Sequence, residues 1–327
     1  MKNENDNISF HSDEEEGSSE DDGSREISLS EYSFHYSEED FNATLKGIKK
    51  NSAETKALDE RGLFDYIDNM TDEAWEELGR DISNNTHLTK VKLSRGALND
   101  QKISFFFREL TRSSSIEQLS LFDNELSVAG VRSIVPFLQN TNSLRELYLH
   151  SNNIQSEGFN LLLRTLSNSP IEKLGCCECG IESIEIDSEN IPIHLTHLNL
   201  HDNRINADGC RGLAKLLEGE DTTLTDLYLD NNKIDDEGVT ILVDALRTNR
   251  SLLDLSLRFN DGISDQGQIM LLKLVNDVSS IKAALQSNHT LWYITVNLSD
   301  EKEHIKCILM KHRQSATMKA TQKQLAG

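Results

Sequence analysis

One pattern of apolar residues returns along most of the chain at nearly constant intervals. Residues 116–126 read I-E-Q-L-S-L-F-D-N-E-L, and residues 144–154, which lie 28 positions later, read L-R-E-L-Y-L-H-S-N-N-I. The pattern begins eight times, at Leu88, Ile116, Leu144, Ile171, Leu195, Leu224, Leu252 and Leu291. A period of about 20–50 residues is typical of solenoids, in which each unit buries its apolar face by stacking on its neighbours.

Each unit has two halves that predict different secondary structures. The fourth and sixth positions are apolar in all eight units, which is the alternation of a short strand with one buried face. In four units a glycine follows fourteen residues after the start, at Gly130, Gly158, Gly209 and Gly238, and apolar residues four apart then predict a short helix. We therefore expect an α/β solenoid shaped as a horseshoe, with eight parallel strands on its concave face and helices on its convex face.

The fourth unit departs from this pattern. It is only 24 residues long, and residues 182–194 contain neither the turn glycine nor apolar residues at helical spacing. Ile184 and Ile186 alternate with polar residues there, so an extended segment is predicted in place of a helix.

The ninth position of the unit carries a side chain that can form hydrogen bonds inside the turn. The chain leaves the strand at this point, so backbone N–H and C=O groups would otherwise be buried without partners. A side-chain amide offers both donors and an acceptor. We predict a structural ladder formed by Asn124, Asn152, Cys179, Asn203, Asn232 and Asn260.

The repeat resembles that of a known family. The sequence L-x-x-L-x-L-x-x-N-x-I at a 28-residue period resembles the ribonuclease-inhibitor type of leucine-rich repeat. It is also similar to the repeat arrays of NOD-like receptors and of the Ran GTPase-activating protein. The resemblance covers residues 88–299 and implies a leucine-rich-repeat horseshoe. It also implies protein binding, because such arrays mostly present binding surfaces and only rarely regulate enzymes.

The repeats divide the chain into four segments. Residues 1–50 are predicted to be a disordered acidic tail, because the first 40 residues hold 14 acidic residues against two basic ones. Residues 51–87 are predicted to form an N-terminal helical cap, in which Thr71 begins a helix. Eight repeat units occupy 88–299, and 300–327 should supply a C-terminal cap helix and a frayed end.

Side chains at the remaining strand positions should face the concave side and be available to another molecule. Exposed aromatic residues among charged ones are the composition of a protein-binding hot spot. The acidic residues around them favour a partner with a basic surface. We predict a partner-binding surface at Phe122, Tyr148, His150, His201, Tyr228, Asp230, Arg258 and Phe259.

Three cysteines lie close together in the fourth unit, as they do in some metal sites. The repeat register assigns Cys176 and Cys179 to the core, so we interpret both as structural. The seventh positions of consecutive units, His150, Cys177 and His201, could line up and hold Zn²⁺. We prefer the interpretation that these are three ordinary surface residues, and we predict no metal and no other cofactor.

Charge and composition disfavour several classes of protein. The net charge of −22 argues against nucleic acid, whose binding needs a basic surface. The sequence has no apolar leader and no apolar run of about 18 residues, which disfavours a secreted or membrane-spanning protein. An odd number of cysteines, five, favours a reducing compartment. We expect a monomer in the cytoplasm, with the nucleus as the alternative.

The sequence also lacks the motifs of common enzymes. It contains no G-x-S-x-G, P-loop or H-E-x-x-H motif, and we predict that the protein is not an enzyme. We predict instead a scaffold that binds a partner protein on its concave face. The alternative is a GTPase-activating regulator similar to the Ran regulator, for which Arg95 and Arg258 on the strand-end rim could reach a nucleotide phosphate.

Overall fold

The computed structural model describes residues 38–296, apart from 60–68, 96–97, 111–112, 188–190, 220, 278, 281 and 284–286. Its helices are α1 Glu38–Lys49, α2 Asp72–Asn84, α3 Asp100–Leu110, α4 Val128–Asn140, α5 Gln155–Leu166, α6 Ala207–Glu218, α7 Asp236–Leu246 and α8 Asp265–Val275. Its strands are β1 Ala57–Asp59, β2 Lys90–Lys92, β3 Gln118–Ser120, β4 Glu146–Tyr148, β5 Lys173–Gly175, β6 His197–Asn199, β7 Asp226–Tyr228, β8 Asp254–Ser256 and β9 Tyr293–Thr295. The predicted C-terminal cap at 300–327 and most of the predicted tail lie outside the described residues.

All nine strands form one parallel sheet in the order of the sequence. The central residue of each strand lies opposite the central residue of the next, as in the pairs Leu119↔Leu147 and Leu227↔Leu255. These central side chains are buried, and they pack with the apolar side chains of the helices into one continuous core. The predicted α/β solenoid is therefore confirmed. Within the described residues, no helix is both long and apolar enough to cross a membrane.

The sheet contains one strand more than the eight that the repeats predict. Strand β1 lies in the segment that we predicted to be a helical cap, and it pairs Leu58 with Val91 of β2. The pattern did not reveal it because Glu60 stands where a unit needs its second inward-facing apolar residue. A single apolar residue between polar ones does not distinguish a strand from a loop.

Helix α1 lies inside the segment 1–50 that we predicted to be disordered. It buries Phe41 and Ile48, and the ammonium group of Lys49 pairs with the carboxylate of Glu77 on α2. The folded part of the chain therefore begins before the predicted boundary at residue 50. The acidic composition around α1 concealed the two apolar side chains that attach it to the core.

Helix α2 begins where the sequence predicts. The hydroxyl oxygen of Thr71 accepts a hydrogen bond from the N–H of Ala74 at 3.3 Å, which caps the first turn. Trp75, Leu78 and Ile82 form its buried face. Helix α2 thus covers the core next to the first repeats.

The ladder residues lie at the turn that follows each strand. The Nδ2 group of Asn152 donates to the carbonyls of Leu121 and Leu149 at 2.8 and 3.0 Å, and its Oδ1 accepts from the N–H of Leu126 at 3.0 Å. Equivalent bonds form at Asn124, Asn203, Asn232 and Asn260. At Cys179 the sulfur lies 3.2 Å from the carbonyl oxygen of Leu149 instead. Each of these side chains joins its own unit to the preceding one.

The fourth unit contains no helix in its described residues 182–187 and 191–194. Ile184 and Ile186 are buried, and the extended backbone lies directly against α6. A Cβ atom added to Gly212 of α6 would come within 2.0 Å of the carbonyl oxygen of Ile184. The extended segment can therefore pack this closely because Gly212 has no side chain.

Replacing Gly212 by Ala tests this contact. Gly→Ala in a helix interior normally stabilises by about 0.5–1 kcal/mol, but the close backbone of Ile184 reverses the expected sign here. We expect Gly212→Ala to lower the free energy of unfolding by about 1–3 kcal/mol in urea denaturation. The neighbouring exposed change Arg211→Ala should cost less than about 1 kcal/mol. A Gly212→Ala protein as stable as wild type would contradict the packing of 182–187 on α6.

Candidate functional site

The outer side of the sheet, opposite the helices, is here called the open face. It presents the side chains that flank the buried central residue of each strand. Because the strands are parallel and in register, these side chains line up in rows across the sheet. One row contains Ser120, Tyr148, Gly175, Asn199, Tyr228 and Ser256. The residues just after each strand continue the same face.

An aromatic cluster lies near the middle of the open face and contains three of the predicted site residues. The rings of Tyr148 and His150 are stacked, with centroids 5.7 Å apart. Phe122 meets His150 edge-on at 6.4 Å, and the guanidinium of Arg95 lies 5.5 Å from the centre of the Phe122 ring. The hydroxyl of Tyr148 donates to Glu146 at 3.1 Å. Burial and the nearby Glu146 carboxylate raise the pKa of Tyr148, which therefore stays protonated as a donor.

The position of the His150 ring depends on the absence of a side chain at Gly175. A Cβ atom at Gly175 would lie 2.2 Å from Cε1 and 2.4 Å from Nε2 of His150. The ring lies over the glycine, and its Nδ1 accepts a hydrogen bond from the N–H of Cys177 at 2.9 Å. Burial, assisted by the charge of His201, lowers the pKa of His150 to about 4. His150 is therefore neutral near pH 7 and carries its proton on Nε2.

The possible zinc column of His150, Cys177 and His201 is not assembled as a metal site. Within the part of the chain that the structure describes, no group of three or more His, Cys, Asp or Glu side chains is arranged to hold a metal ion. The Nδ1 of His150 is occupied by a backbone N–H, and burial raises the pKa of the Cys177 thiol.

Asp230 differs from the exposed surface charge that we expected. Its side chain is buried, with 3% of the residue exposed. It accepts hydrogen bonds from the Ser256 hydroxyl at 2.5 Å and from the N–H of Arg258 at 2.7 Å. The guanidinium of Arg258 completes the arrangement at 2.8 and 3.0 Å from Oδ2. A buried carboxylate that makes this many bonds is a structural group, so a direct role of Asp230 in partner contact is not supported.

The other predicted site residues lie farther along the open face. Nε2 of His201 is 2.6 Å from Asp202, and the hydroxyl of Tyr228 lies 3.4 Å from Asp226. Tyr228 is in the same row as Tyr148 but three strands away, or about 14 Å at the usual strand spacing. Phe259 is 43% exposed just beyond β8. The predicted set therefore forms a central aromatic cluster and a second group near β7 and β8.

A rim of left-handed residues, which the sequence pattern did not predict, borders the open face. The eighth residue of seven consecutive units has φ between 50° and 57°, a conformation that favours glycine. None of the seven is glycine; they are Arg95, Asp123, Ser151, Glu178, Asp202, Asn231 and Phe259. Asp, Asn and Ser at the same offset were a possible signal, but Arg, Glu and Phe at that offset obscured it.

A groove of about 1050 Å³ runs beside this rim from the second to the sixth unit. Phe122 of the aromatic cluster contributes to its wall. Four carboxylates and two cationic side chains also line it: Asp123, Glu125, Glu178, Asp202, Arg204 and Lys233. The groove is therefore net acidic and continuous with the aromatic cluster.

Comparison with known proteins agrees with this architecture. A leucine-rich-repeat family model matches residues 192–214, 220–242 and 248–272. The chain is 26% identical over 218 residues to ribonuclease inhibitor of Sus scrofa, covering 64% of this chain and 48% of that protein. It is 28% identical over 229 residues to NACHT, LRR and PYD domains-containing protein 14 of Mus musculus, covering 62% and 23%. Rho GTPase-activating protein gacW of Dictyostelium discoideum is 26% identical over 151 residues, covering 42% and 13%.

The parallel sheet, the ladder and the matched repeats define the chain as a leucine-rich-repeat solenoid. Within that class, its repeats are similar to those of the ribonuclease inhibitors and of the NACHT, LRR and PYD domains-containing proteins. The chain spans less than half the length of each of these relatives.

The low pKa of His150 predicts a dependence of stability on pH. The folded protein binds this proton only near pH 4, whereas the unfolded chain binds it near 6.5. Between pH 4 and pH 6.5 the His150 side chain is more protonated in the unfolded chain than in the folded protein. Protonation therefore favours unfolding, so the free energy of unfolding is unaffected by protonation of His150 above pH 6.5 and decreases as the pH falls towards 4. The free energy of unfolding, measured by urea denaturation, should fall between pH 7 and pH 4.5 by about 2–3 kcal/mol less in His150→Asn than in the wild type.

His197→Asn is the matched control, since its side chain is 42% exposed on the same face. The difference in pH dependence between His150→Asn and His197→Asn isolates the contribution of the buried His150 ring. Equal pH dependence in wild type and His150→Asn would show that the His150 ring is not held neutral in the folded protein.

The contacts of Asp230 predict a structural effect rather than a surface effect. Asp230→Ala leaves the Ser256 hydroxyl, the Arg258 N–H and the Arg258 guanidinium without their common acceptor. We expect a loss of about 2–3 kcal/mol in the free energy of unfolding. The neighbouring Asp254→Ala on β8, which is only half-buried, should cost less than about 1 kcal/mol. If both changes had the same small effect, Asp230 would be a surface charge after all.

Proposed function

We propose that the protein is a non-catalytic scaffold that binds a partner protein on its open face. The aromatic cluster of Phe122, Tyr148 and His150 carries this proposal. Aromatic side chains that are half-buried on a fixed sheet offer contact area with little loss of side-chain freedom on binding. The second group, with His201, Tyr228, Arg258 and Phe259, extends the proposed surface towards β8.

The side chains of the cluster are held in place by contacts within the chain. The ring of His150 is fixed by the N–H of Cys177 and by the space over Gly175. Tyr148 stacks on that ring and donates its hydroxyl hydrogen to Glu146. Preorganisation of this kind lowers the ordering cost of association, so such residues are suited to the centre of an interface.

The charges beside the cluster favour a basic partner surface. The groove carries four carboxylates against two cations, and Glu146 and Asp226 continue the acidic character along the strands. Opposite charge across an interface raises the association rate and disfavours wrong partners. We propose a monomer that acts in the cytoplasm or the nucleus and that binds neither nucleic acid nor a membrane.

Two related proteins carry the name ribonuclease inhibitor, so a ribonuclease is the first partner to test. Affinity for immobilised pancreatic ribonuclease, and for any partner purified by affinity capture, should be measured by biolayer interferometry. Tyr148→Ala combined with Tyr228→Ala should weaken binding by tens-fold or more, because truncating an aromatic anchor at an interface centre typically costs about 2 kcal/mol or more.

Two controls separate binding from folding. Arg211→Ala changes the helix side and should leave affinity unchanged. Leu200→Ala removes a buried core contact and should destabilise the fold by about 2–5 kcal/mol, whereas the double tyrosine variant should unfold close to wild type. If the double variant bound as wild type and Arg211→Ala lost binding, the partner would lie on the helices.

GTPase activation is the second candidate, because one relative is named as a Rho GTPase-activating protein. The match covers only 13% of that protein. Arg258 is bound by the buried Asp230, and Arg95 lies against Phe122 and Asp123, so both guanidinium groups are engaged within the chain. GTP turnover by Ran and by a Rho GTPase, with and without the protein, tests this candidate directly. An increase of about a thousand-fold or more that is lost in Arg95→Ala or Arg258→Ala would favour it over a simple scaffold.

A further inference from the structure

One end of the groove beside the rim already holds a guanidinium group. The guanidinium carbon of Arg95 lies 5.5 Å from the centre of the Phe122 ring, and its Nε is 3.3 Å from Oδ2 of Asp123. An aromatic face and a carboxylate are two groups whose geometry suits a planar guanidinium. Phe122 and Asp123 both line the groove, and Arg95 reaches them from the preceding unit. The chain thus supplies its own ligand to this end of the groove.

The contact between Arg95 and its two neighbours can be exchanged for an external one. The side chains of Arg95 and Asp123 are 44% and 52% exposed. Ion pairs and cation–π contacts with this exposure are weak, and each changes an equilibrium constant by only about two- to fivefold. The backbone N–H of Arg95 is held separately, because it donates to the carbonyl of Phe122 at 2.9 Å. The side chain can therefore move into solvent while the strand-end rim stays in place.

Two other pairs of consecutive rim residues show what is particular to this end. The hydroxyl of Ser151 donates to the carboxylate of Glu178 at 2.7 Å, and the side-chain amide of Asn231 donates to Asp202. In both pairs the rim residue that meets the carboxylate is a neutral donor. Among these three pairs, only the one that contains Arg95 combines a guanidinium, a carboxylate and an aromatic face. The site therefore has the chemistry of an arginine-binding position rather than of an ordinary rim contact.

We propose that Phe122 and Asp123 form a subsite for an arginine side chain of the partner, and that Arg95 occupies this subsite until the partner displaces it. The occupant of the groove is a basic segment of the partner, because four carboxylates against two cations complement positive charge. His150, which meets Phe122 edge-on, is neutral near pH 7 and does not repel a guanidinium. The inference rests on the proposed function, since it assigns the chemistry of one contact with the partner.

Removal of Arg95 should strengthen binding, because Arg95 competes with the arginine of the partner. The probes are a fluorescein-labelled octapeptide of alternating glycine and arginine and its glycine–lysine counterpart, which carries the same charge. Their affinities for the full chain are measured by fluorescence anisotropy near physiological ionic strength. Arg95→Ala, and Arg95→Gln, which keeps a long side chain, should each bind the arginine peptide at least about threefold more tightly than the wild type. The lysine peptide should gain less, because an ammonium group lacks the planar fork of a guanidinium.

Lys233→Ala is the matched control, since Lys233 is exposed and lines the same groove at its other end. It removes one positive charge from the groove but leaves Arg95 on Phe122. Both peptides should therefore gain equally, and the ratio of their affinities should stay at the wild-type value. Phe122→Leu, added to Arg95→Ala, removes the aromatic face and should abolish the gained preference for arginine. Thermal unfolding of each variant confirms that the affinities refer to folded protein.

Three results would overturn the proposal. Equal gains for the two peptides in Arg95→Ala, or a gain no larger than that of Lys233→Ala, would assign the effect to net charge. Failure of the arginine peptide to bind folded Arg95→Ala would show that the subsite does not exist. The scaffold function is judged separately, by the affinity of the double tyrosine variant for a partner. Loss of partner binding in that variant, together with equal peptide gains in Arg95→Ala, would uphold the scaffold and reject the arginine subsite.

Discussion

The array depends on the hydrogen bonds that one side chain makes at the point where each strand ends. An asparagine amide there donates hydrogen bonds to the carbonyl of the last inward-facing residue in its own unit and in the preceding unit. It also accepts a hydrogen bond from a backbone N–H in the turn of the preceding unit. These backbone groups would otherwise be buried without partners, at a cost of about 1–3 kcal/mol each. The amide therefore fixes both the sharp exit from the strand and the register between neighbouring units.

The same hydrogen bonds explain two of the polar side chains on the open face. In a regular parallel sheet, the N–H of the seventh residue of a unit would donate to the carbonyl of the sixth residue of the preceding unit. Here the ladder side chain donates to that carbonyl instead, as Asn260 does to the carbonyl of Leu229. The N–H of that seventh residue then needs another acceptor. His150 provides one for Cys177, and Asp230 provides one for Arg258. These two polar side chains on the open face thus have a structural role towards the backbone, whether or not they also contact a partner.

The alternation of apolar residues determined the fold and the ladder because both depend on local spacing. The burial of Leu119, Leu147 and the other inward leucines, and the extended segment after Ile181, could be predicted from it. The burial and hydrogen bonding of individual side chains on the open face could not be predicted from this spacing. In the sequence, Asp230 cannot be distinguished from an exposed acidic residue, because its partner Arg258 lies in the next unit. The position of the His150 ring likewise depends on Gly175, which leaves space for it. Such contacts join residues about 28 positions apart whose pairing the repeat permits but does not specify.

The left-handed rim has a consequence for the stability of the array. The left-handed conformation costs an ordinary L-residue roughly 1–2 kcal/mol, and less for Asn or Asp, so the seven non-glycine residues of the rim store backbone strain in the folded chain. Glycine at one of these places would relieve that strain but would also give the unfolded chain more conformational freedom, so the net gain in stability would be smaller than the strain itself. A repeat array can tolerate this backbone strain because the interface between each pair of neighbouring units contributes its own free energy to stability. The rim therefore places seven side chains of different size and charge beside the groove, at positions where the backbone conformation alone would favour glycine.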